Sequence, residues 1–352
     1  MRNPFNPTFG DVPQLFIDDG ESEKLVELIQ NSDFARSFFV TGVRGAGKTS
    51  FMSKVMKKFA EDKNCYAINL INKEDMVDTL CSKLANAVHR IHGTIDSVSV
   101  SGVSVKTSLA EMSNEERLES LLKKVKKQGK YVVIAVDEVT NTPTIRSFAQ
   151  YFSLLKQQDY PIFVIMTGLP DLILNIQNDD KLTFLLRSEK IYLGELSSAQ
   201  ILEEYRRVFH GEMVVMSKMT QAVEGYSYAF QLLGYLLFER CQGKVPAIDN
   251  LNAVMDDFKN RLFENAYQKI FLGLSDMDCE FLLAMQKNAE FGEIVNQMQK
   301  SKVYVAQYRK RLIDRCLISP QIRGRLKFNL PFFDEYLETV QDPDSIFYLG
   351  IW

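Results

Sequence analysis

The chain has 352 residues, 46% of them hydrophobic and 25% charged, with a formal net charge of −3. That length exceeds what one hydrophobic core usually serves, so more than one domain is expected. The slight acidity excludes a chain that coats polyanions along its whole surface and leaves room for one local basic face.

The first 20 residues, with Pro4, Pro7 and Pro13, read as an extended lead-in without an apolar stretch of signal-peptide length. From Glu21 the spacing Leu25, Leu28, Ile29 predicts a helix, and SFFVT a short buried strand. The stretch TGVRGAGKTSF, residues 41–51, then places Gly42, Gly45 and Gly47 in one turn ahead of a helix carrying Phe51, Val55 and Phe59. CYAINLI predicts a second strand and residues 74–92 a long helix, and SVSVSGVSVKTS alternates about Gly102 as a hairpin would over 97–107. Ser113 and Glu116 have capping-box spacing and open a helix with Leu118, Leu121, Leu122 and Val125 on one face. Residues 131–139 and 161–169 are near-continuous apolar runs, as central strands of a parallel sheet are when both faces are covered. Strands separated by helices predict a wound α/β domain ending near residue 194, followed by a helical stretch to about 265. Five scattered cysteines without a C-x-x-C pair read as reduced thiols of a cytoplasmic protein, and no run of roughly 18 apolar residues offers a membrane span.

Glycines spend conformational freedom, so a turn built from three of them is expected where something must approach the backbone. Gly42, Val43, Arg44, Gly45, Ala46, Gly47, Lys48 and Thr49 match G-x-x-x-x-G-K-[ST] in full, with Ser50 following. Placed between a strand and a helix, successive N–H groups and the positive helix end cradle a β-phosphate; Lys48 would neutralise the β and γ oxygens, and Thr49 would ligate magnesium. A second signal is independent: VVIAVDEV ends an apolar strand with Asp137 and Glu138, one carboxylate for the Mg2+ shell and one to polarise an attacking water.

With GVRGAGKT, VVIAVDEV and FVIMTGLPDL in place, the sequence resembles the AAA+ ATPases, in the branch of the origin-recognition initiators and related archaeal and bacterial ATPases. The resemblance implies ATP and Mg2+ as cofactors, Thr167 as the sensor 1 residue and Arg187, before the last core strand, as an arginine finger acting on a neighbouring protomer. It therefore implies a homo-oligomer or a partner AAA+ subunit. The helical lid resembles the family's at EGYSYAFQLLGYLLFE, yet Gly225 to Phe230 contain no sensor 2 arginine, so a slow switch is expected rather than rapid hydrolysis. In the lead-in, IDDG stands where the family carries an arginine-acid pair near adenine.

Ser275 and Asp278 predict another capped helix, a short helix follows at FGEIVNQMQ, and VAQYRKRLIDRCLI a third after the turn KSKVY. SPQIRGRLKFNLP then offers two strands about Gly324. This order resembles the winged-helix domain attached to the same branch. From Lys302 to Lys327 there are eight basic residues against the single acid Asp314. Gln307, Lys310 and Arg311 facing outward, with Arg323 and Arg325 at the wing, would fit duplex DNA. The expected fold is thus α/β, a P-loop NTPase parallel sheet with a helical lid followed by an α+β winged-helix domain, divided at 1–195, 196–268 and 269–352. The expected function is a slow Mg-ATP-dependent ATPase switch on DNA, in the cytoplasm and away from membranes. The alternative is a signalling or scaffold switch whose winged helix contacts protein.

Overall fold

The computed structural model describes residues 2–18, 20–73, 75–91 and 113–350, so the hairpin expected over 97–107 lies outside the described residues. The chain divides into two compact units: one comprises Gly20–Thr41 and Phe51–Tyr192, the other Met1–Asp19, Gly42–Ser50 and Leu193–Trp352.

In chain order the first unit draws on α1 (Glu21–Gln30), β1 (Ser37–Thr41), α2 (Lys48–Glu61), β2 (Cys65–Leu70), α3 (Met76–Ile91), α4 (Asn114–Lys127), β3 (Tyr131–Val136), α5 (Pro143–Gln157), β4 (Ile162–Gly168), α6 (Pro170–Gln177), a 3-10 segment Asp180–Arg187 and β5 (Glu189–Tyr192). The strands form one parallel sheet in the order β2-β3-β4-β1-β5. Because side chains alternate across a strand, an apolar run without interruption is buried on both faces. Phe39, Ile134, Val136, Val164 and Met166 share a core with Leu84, Leu122, Phe148 and Ile173 from α3, α4, α5 and α6. On the opposite face Tyr131 lies edge-on between Phe59 of α2 and Phe163 of β4, with ring centroids at 6.2 and 5.9 Å. Phe59 is fully buried, and truncating it to Ala would cost about 3–5 kcal/mol. Ser113 and Glu116 make the expected capping box at α4. At α5 Thr142 caps the helix by accepting from Ile145 N–H at 3.3 Å, with Pro143 in the first turn.

The second unit contains α7 (Ser198–Phe209), α8 (Met213–Val223), α9 (Ser227–Cys241), α10 (Ile248–Asn252), α11 (Met255–Leu262), a π turn Phe263–Tyr267, α12 (Gln268–Leu272), α13 (Asp276–Lys287), α14 (Phe291–Met298), α15 (Lys302–Asp314), β6 (Ile318–Pro320), β7 (Leu326–Phe328) and α16 (Phe333–Thr339). One apolar core runs through it from Phe5 in the lead-in to Phe347. The ring of Phe5 stacks on Phe209 at 5.7 Å and meets Phe230 edge-on at 5.6 Å. Gly234 inside α9 makes room for it, since a Cβ there would come within 2.5 Å of the Phe5 ring. The C-terminal portion has the expected order of three helices and a short antiparallel ribbon, with Ile318 opposite Phe328 and Pro320 opposite Leu326. The ribbon turns through Arg323 at φ +61° and Gly324 at φ +78°. Ser275 and Asp278 form a capping box at α13. Among the described residues no helix is long and apolar enough to cross a membrane.

Candidate functional site

The glycine turn is built as a phosphate cradle requires. Gly45 and Gly47 stand at φ +78° and +88°, a region L side chains rarely adopt. A Cβ on Gly42 would lie 2.7 Å from the Leu193 carbonyl oxygen and 3.0 Å from the Ala46 Cβ, so that position too is closed to a side chain. Lys48, the first residue of α2, donates from Nζ to the carbonyls of Gly42 and Val43 at 3.0 and 2.8 Å. Its ammonium is therefore folded back into the turn, while the 14-residue helix directs its positive end the same way. Ala46 and Ser50 are buried; Val43, Arg44, Lys48 and Thr49 are half-buried. These groups fit a nucleotide phosphate in charge and in donor supply. Above the turn, Arg44 lies over the Phe9 ring at 5.2 Å, and Phe9 stacks on Tyr228 at 4.5 Å.

The acidic pair belongs to the sheet unit. β3 ends at Val136, and the backbone then bends so sharply that Glu138 adopts φ +51°. A non-glycine residue held there is strained, a condition that clusters at active sites. The strain is held by Thr167 at the end of β4: its buried hydroxyl donates to Asp137 Oδ1 and accepts from Glu138 N–H at 3.1 Å, and its carbonyl accepts from Val139 N–H at 2.8 Å. Asp137 Oδ1 also accepts from Glu138 N–H at 3.1 Å. Asp137, Glu138 and Thr167 thus form one constellation, with the Glu138 side chain exposed. Arg187 ends the 3-10 segment immediately before β5 and is exposed.

On the basic C-terminal face, Gln307 and Lys310 of α15 and Arg323 and Arg325 of the ribbon turn are exposed. Arg311 is exposed, as expected, and is also bound within the module. Its guanidinium forms a bidentate pair with Asp278, Nε to Oδ1 at 2.8 Å and Nη2 to Oδ2 at 2.6 Å, and adds Ser275 Oγ at 2.5 Å. The reason is electrostatic: Asp278 is wholly buried, and a buried carboxylate takes the nearest planar cation fork. Lys327 is similarly engaged, with Glu224 at 3.3 Å. Sequence reasoning also missed Tyr226, whose hydroxyl donates to the Arg44 carbonyl at 2.7 Å. Its only signal in the sequence was a tyrosine beside Gly225, in the stretch where the resemblance would place a sensor 2 arginine.

Residues 20–167 match the family model of an ATPase domain predominantly from Archaea, and residues 264–337 match a domain of unknown function. No curated protein matches the chain. Among solved structures the chain is similar to a Walker-type ATPase of Pyrococcus abyssi, at 13% identity and TM-score 0.63, covering 92% of this chain and 96% of that one. It is similar as well to the ORC2 protein of Aeropyrum pernix in ADPNP-ADP complexes, at 12% identity and TM-score 0.60 over 94% and 95% of the two chains. The fold is accordingly that of a P-loop NTPase, a five-stranded parallel sheet with surrounding helices and a mainly helical C-terminal part.

Proposed function

We propose that this chain binds Mg-ATP at the turn Gly42–Thr49, hydrolyses it slowly as a switch, and contacts duplex DNA through its C-terminal module. The observation that carries the nucleotide reading is the turn itself, with left-handed glycines at 45 and 47 and Lys48 folded into it at the head of a helix. The ATPase-domain match over residues 20–167 supports it. Val43 to Ser50 offer N–H groups to phosphate oxygens, and Lys48 neutralises them. Thr49 and Asp137 are assigned to magnesium, which supplies charge neutralisation when bound. Glu138 takes the proton of the attacking water, Thr167 holds Asp137 in place, and Arg187 serves a neighbouring protomer in a homo-oligomer or beside a partner AAA+ subunit. The absence of an arginine from Gly225 to Phe230 argues for slow turnover. The division into a core over 1–195, a lid over 196–268 and a winged helix over 269–352 belongs to this reading, as does a cytoplasmic location with reduced thiols. On the last module Gln307 and Lys310 would approach base edges while Arg323 and Arg325 clamp phosphates.

Two observations favour a second reading, in which that module contacts protein in a signalling or scaffold switch. Ile322 at the ribbon turn is 84% exposed, and Arg311 and Lys327 are already committed to acids of the chain. Two measurements separate the readings. ADP titration should show binding that Lys48→Ala abolishes. Duplex DNA binding should then weaken steeply between about 50 and 200 mM salt if phosphates are neutralised. Nucleotide binding with no salt-dependent DNA binding would favour the protein-contact reading.

A further inference from the structure

Helix α8 passes into α9 through the turn Glu224–Tyr226. Glu224 and Gly225 are both left-handed, at φ +43° and +77°. The turn is wedged in place: a Cβ on Gly225 would lie 2.8 Å from the Glu195 Cβ, and the Gly225 carbonyl accepts from Leu196 N–H at 2.8 Å. Tyr226 N–H donates to the Val223 carbonyl at 2.8 Å, which fixes the direction in which its side chain leaves the turn. The ring is 4% exposed and lies beside Tyr228 and Tyr267, with centroids at 6.1 and 6.3 Å.

What this rigid ring reaches is the peptide between Arg44 and Gly45. Its hydroxyl donates to the Arg44 carbonyl at 2.7 Å, and a Cβ on Gly45 would overlap that hydroxyl. Burial pushes the phenol well up, so the proton stays on the oxygen and the group remains a donor. In a trans peptide the carbonyl of one residue and the N–H of the next share a plane and point opposite ways. Holding the Arg44 carbonyl therefore aims the Gly45 N–H away from Tyr226. A glycine has no side chain to resist rotation of that peptide.

We propose that Tyr226 is a positioning residue for the phosphate loop: it fixes the Arg44–Gly45 peptide so that the Gly45 N–H is held ready for an oxyanion, without touching the nucleotide. The proposal rests on the nucleotide reading of the Gly42–Thr49 turn. The lid would then act on the phosphate site through a neutral hydrogen bond, in a chain whose lid lacks the arginine that could act on phosphate directly.

Tyr226→Phe removes the hydroxyl and keeps the ring. Titration of the full chain with fluorescently labelled ADP should show affinity about three- to tenfold weaker, the worth of one neutral hydrogen bond. In the nucleotide-free protein, amide exchange of residues 44–47 should quicken. Tyr205→Phe is the matched control, since Tyr205 is fully buried and donates to the Phe230 carbonyl at 2.9 Å, within the lid alone. It should quicken amide exchange in α7 and α9 and leave ADP affinity and loop exchange unchanged. Unchanged affinity in Tyr226→Phe, or equal weakening in both variants, would overturn the positioning role. A parent protein that binds no ADP, or binds it equally well as Lys48→Ala, would remove the nucleotide reading and the proposal together.

Discussion

Replacing Arg311 by Ala tests whether that residue supports the C-terminal module or reads DNA. The substitution leaves Asp278, 1% exposed in its side chain, without its bidentate partner. Breaking a buried ion pair costs about 3–5 kcal/mol when both charges are buried. Here the Arg311 side chain is 43% exposed, and Asp278 Oδ2 keeps the Ser275 N–H and hydroxyl at 3.2 and 2.9 Å. Screening and those remaining bonds reduce the expected loss to about 2–3 kcal/mol. Because the chain has two units, a global melt would mix transitions, and amide exchange of α13 and α15 is the better readout. Exchange there should accelerate roughly 30- to 150-fold. Arg311→Lys, which keeps the charge and loses the fork, should fall between Ala and the parent. Arg311→Met combined with Asp278→Asn should cost less than the sum of the single changes. If Arg311→Ala left exchange in α13 and α15 within about threefold of the parent while changing sequence preference on DNA, the structural assignment would be refuted.

Glu138→Gln should keep nucleotide affinity within about twofold and lower phosphate release by about 100-fold or more, the usual scale for a lost general base; equal turnover in variant and parent would remove Glu138 from the chemistry. Changing both Arg323 and Arg325 to Ala should weaken duplex binding about evenly across sequences and reduce the salt slope by roughly one unit per lost phosphate contact. A slope identical to the parent's would separate the ribbon turn from the backbone. Lys58 holds the Glu23 carboxyl down from its ordinary 4.5 to about 2, with Lys54 at 3.4 Å assisting. A lowered carboxyl stabilises the fold above its unfolded value and loses that contribution as pH falls from about 4.5 to about 2. With Glu23 44% exposed the contribution is under about 1 kcal/mol. Glu23→Gln should erase that part of the acid-unfolding curve, and an unchanged curve would count against it.

The central strands of the sheet were legible because they are buried on both faces and almost wholly apolar, as in residues 131–136 and 162–168. The expected end of the third strand at 139 was three residues long because Glu138 turns left-handed, which no periodicity signals. The strand β5 is a four-residue edge whose EKIY is only partly buried, so its pattern is weak and its place follows from pairing with β1. Capping boxes at Ser113 and Ser275 were readable since their partners lie three residues away. The bonds from Tyr226 to Arg44 and from Arg311 to Asp278 span 182 and 33 positions and leave no local trace. Asp278 was legible as a cap, but its second oxygen was spoken for by a distant arginine.

That second oxygen changes the electrostatics of the C-terminal face. Eight bases against one acid over 302–327 call for an answer from a polyanion or from acids of the chain. Within the folded unit Arg311 is answered by Asp278 and Lys327 by Glu224, and Arg309 lies over the Phe291 ring at 5.0 Å. Arg315 donates to the Gly273 carbonyl at 3.3 Å. The exposed remainder is Lys302, Lys310, Arg323 and Arg325. Lys302 opens α15, where the helix dipole disfavours a cation and favours an anion. A phosphate at that helix end would relieve the conflict, whereas an apolar protein surface would leave it in place. The same logic makes Ile322 the residue to watch: in the DNA reading Ile322→Ser should leave duplex affinity within about twofold, and in the protein-contact reading it should be the change that most weakens partner binding. The position of the charge conflict at Lys302 is why the DNA reading stands first.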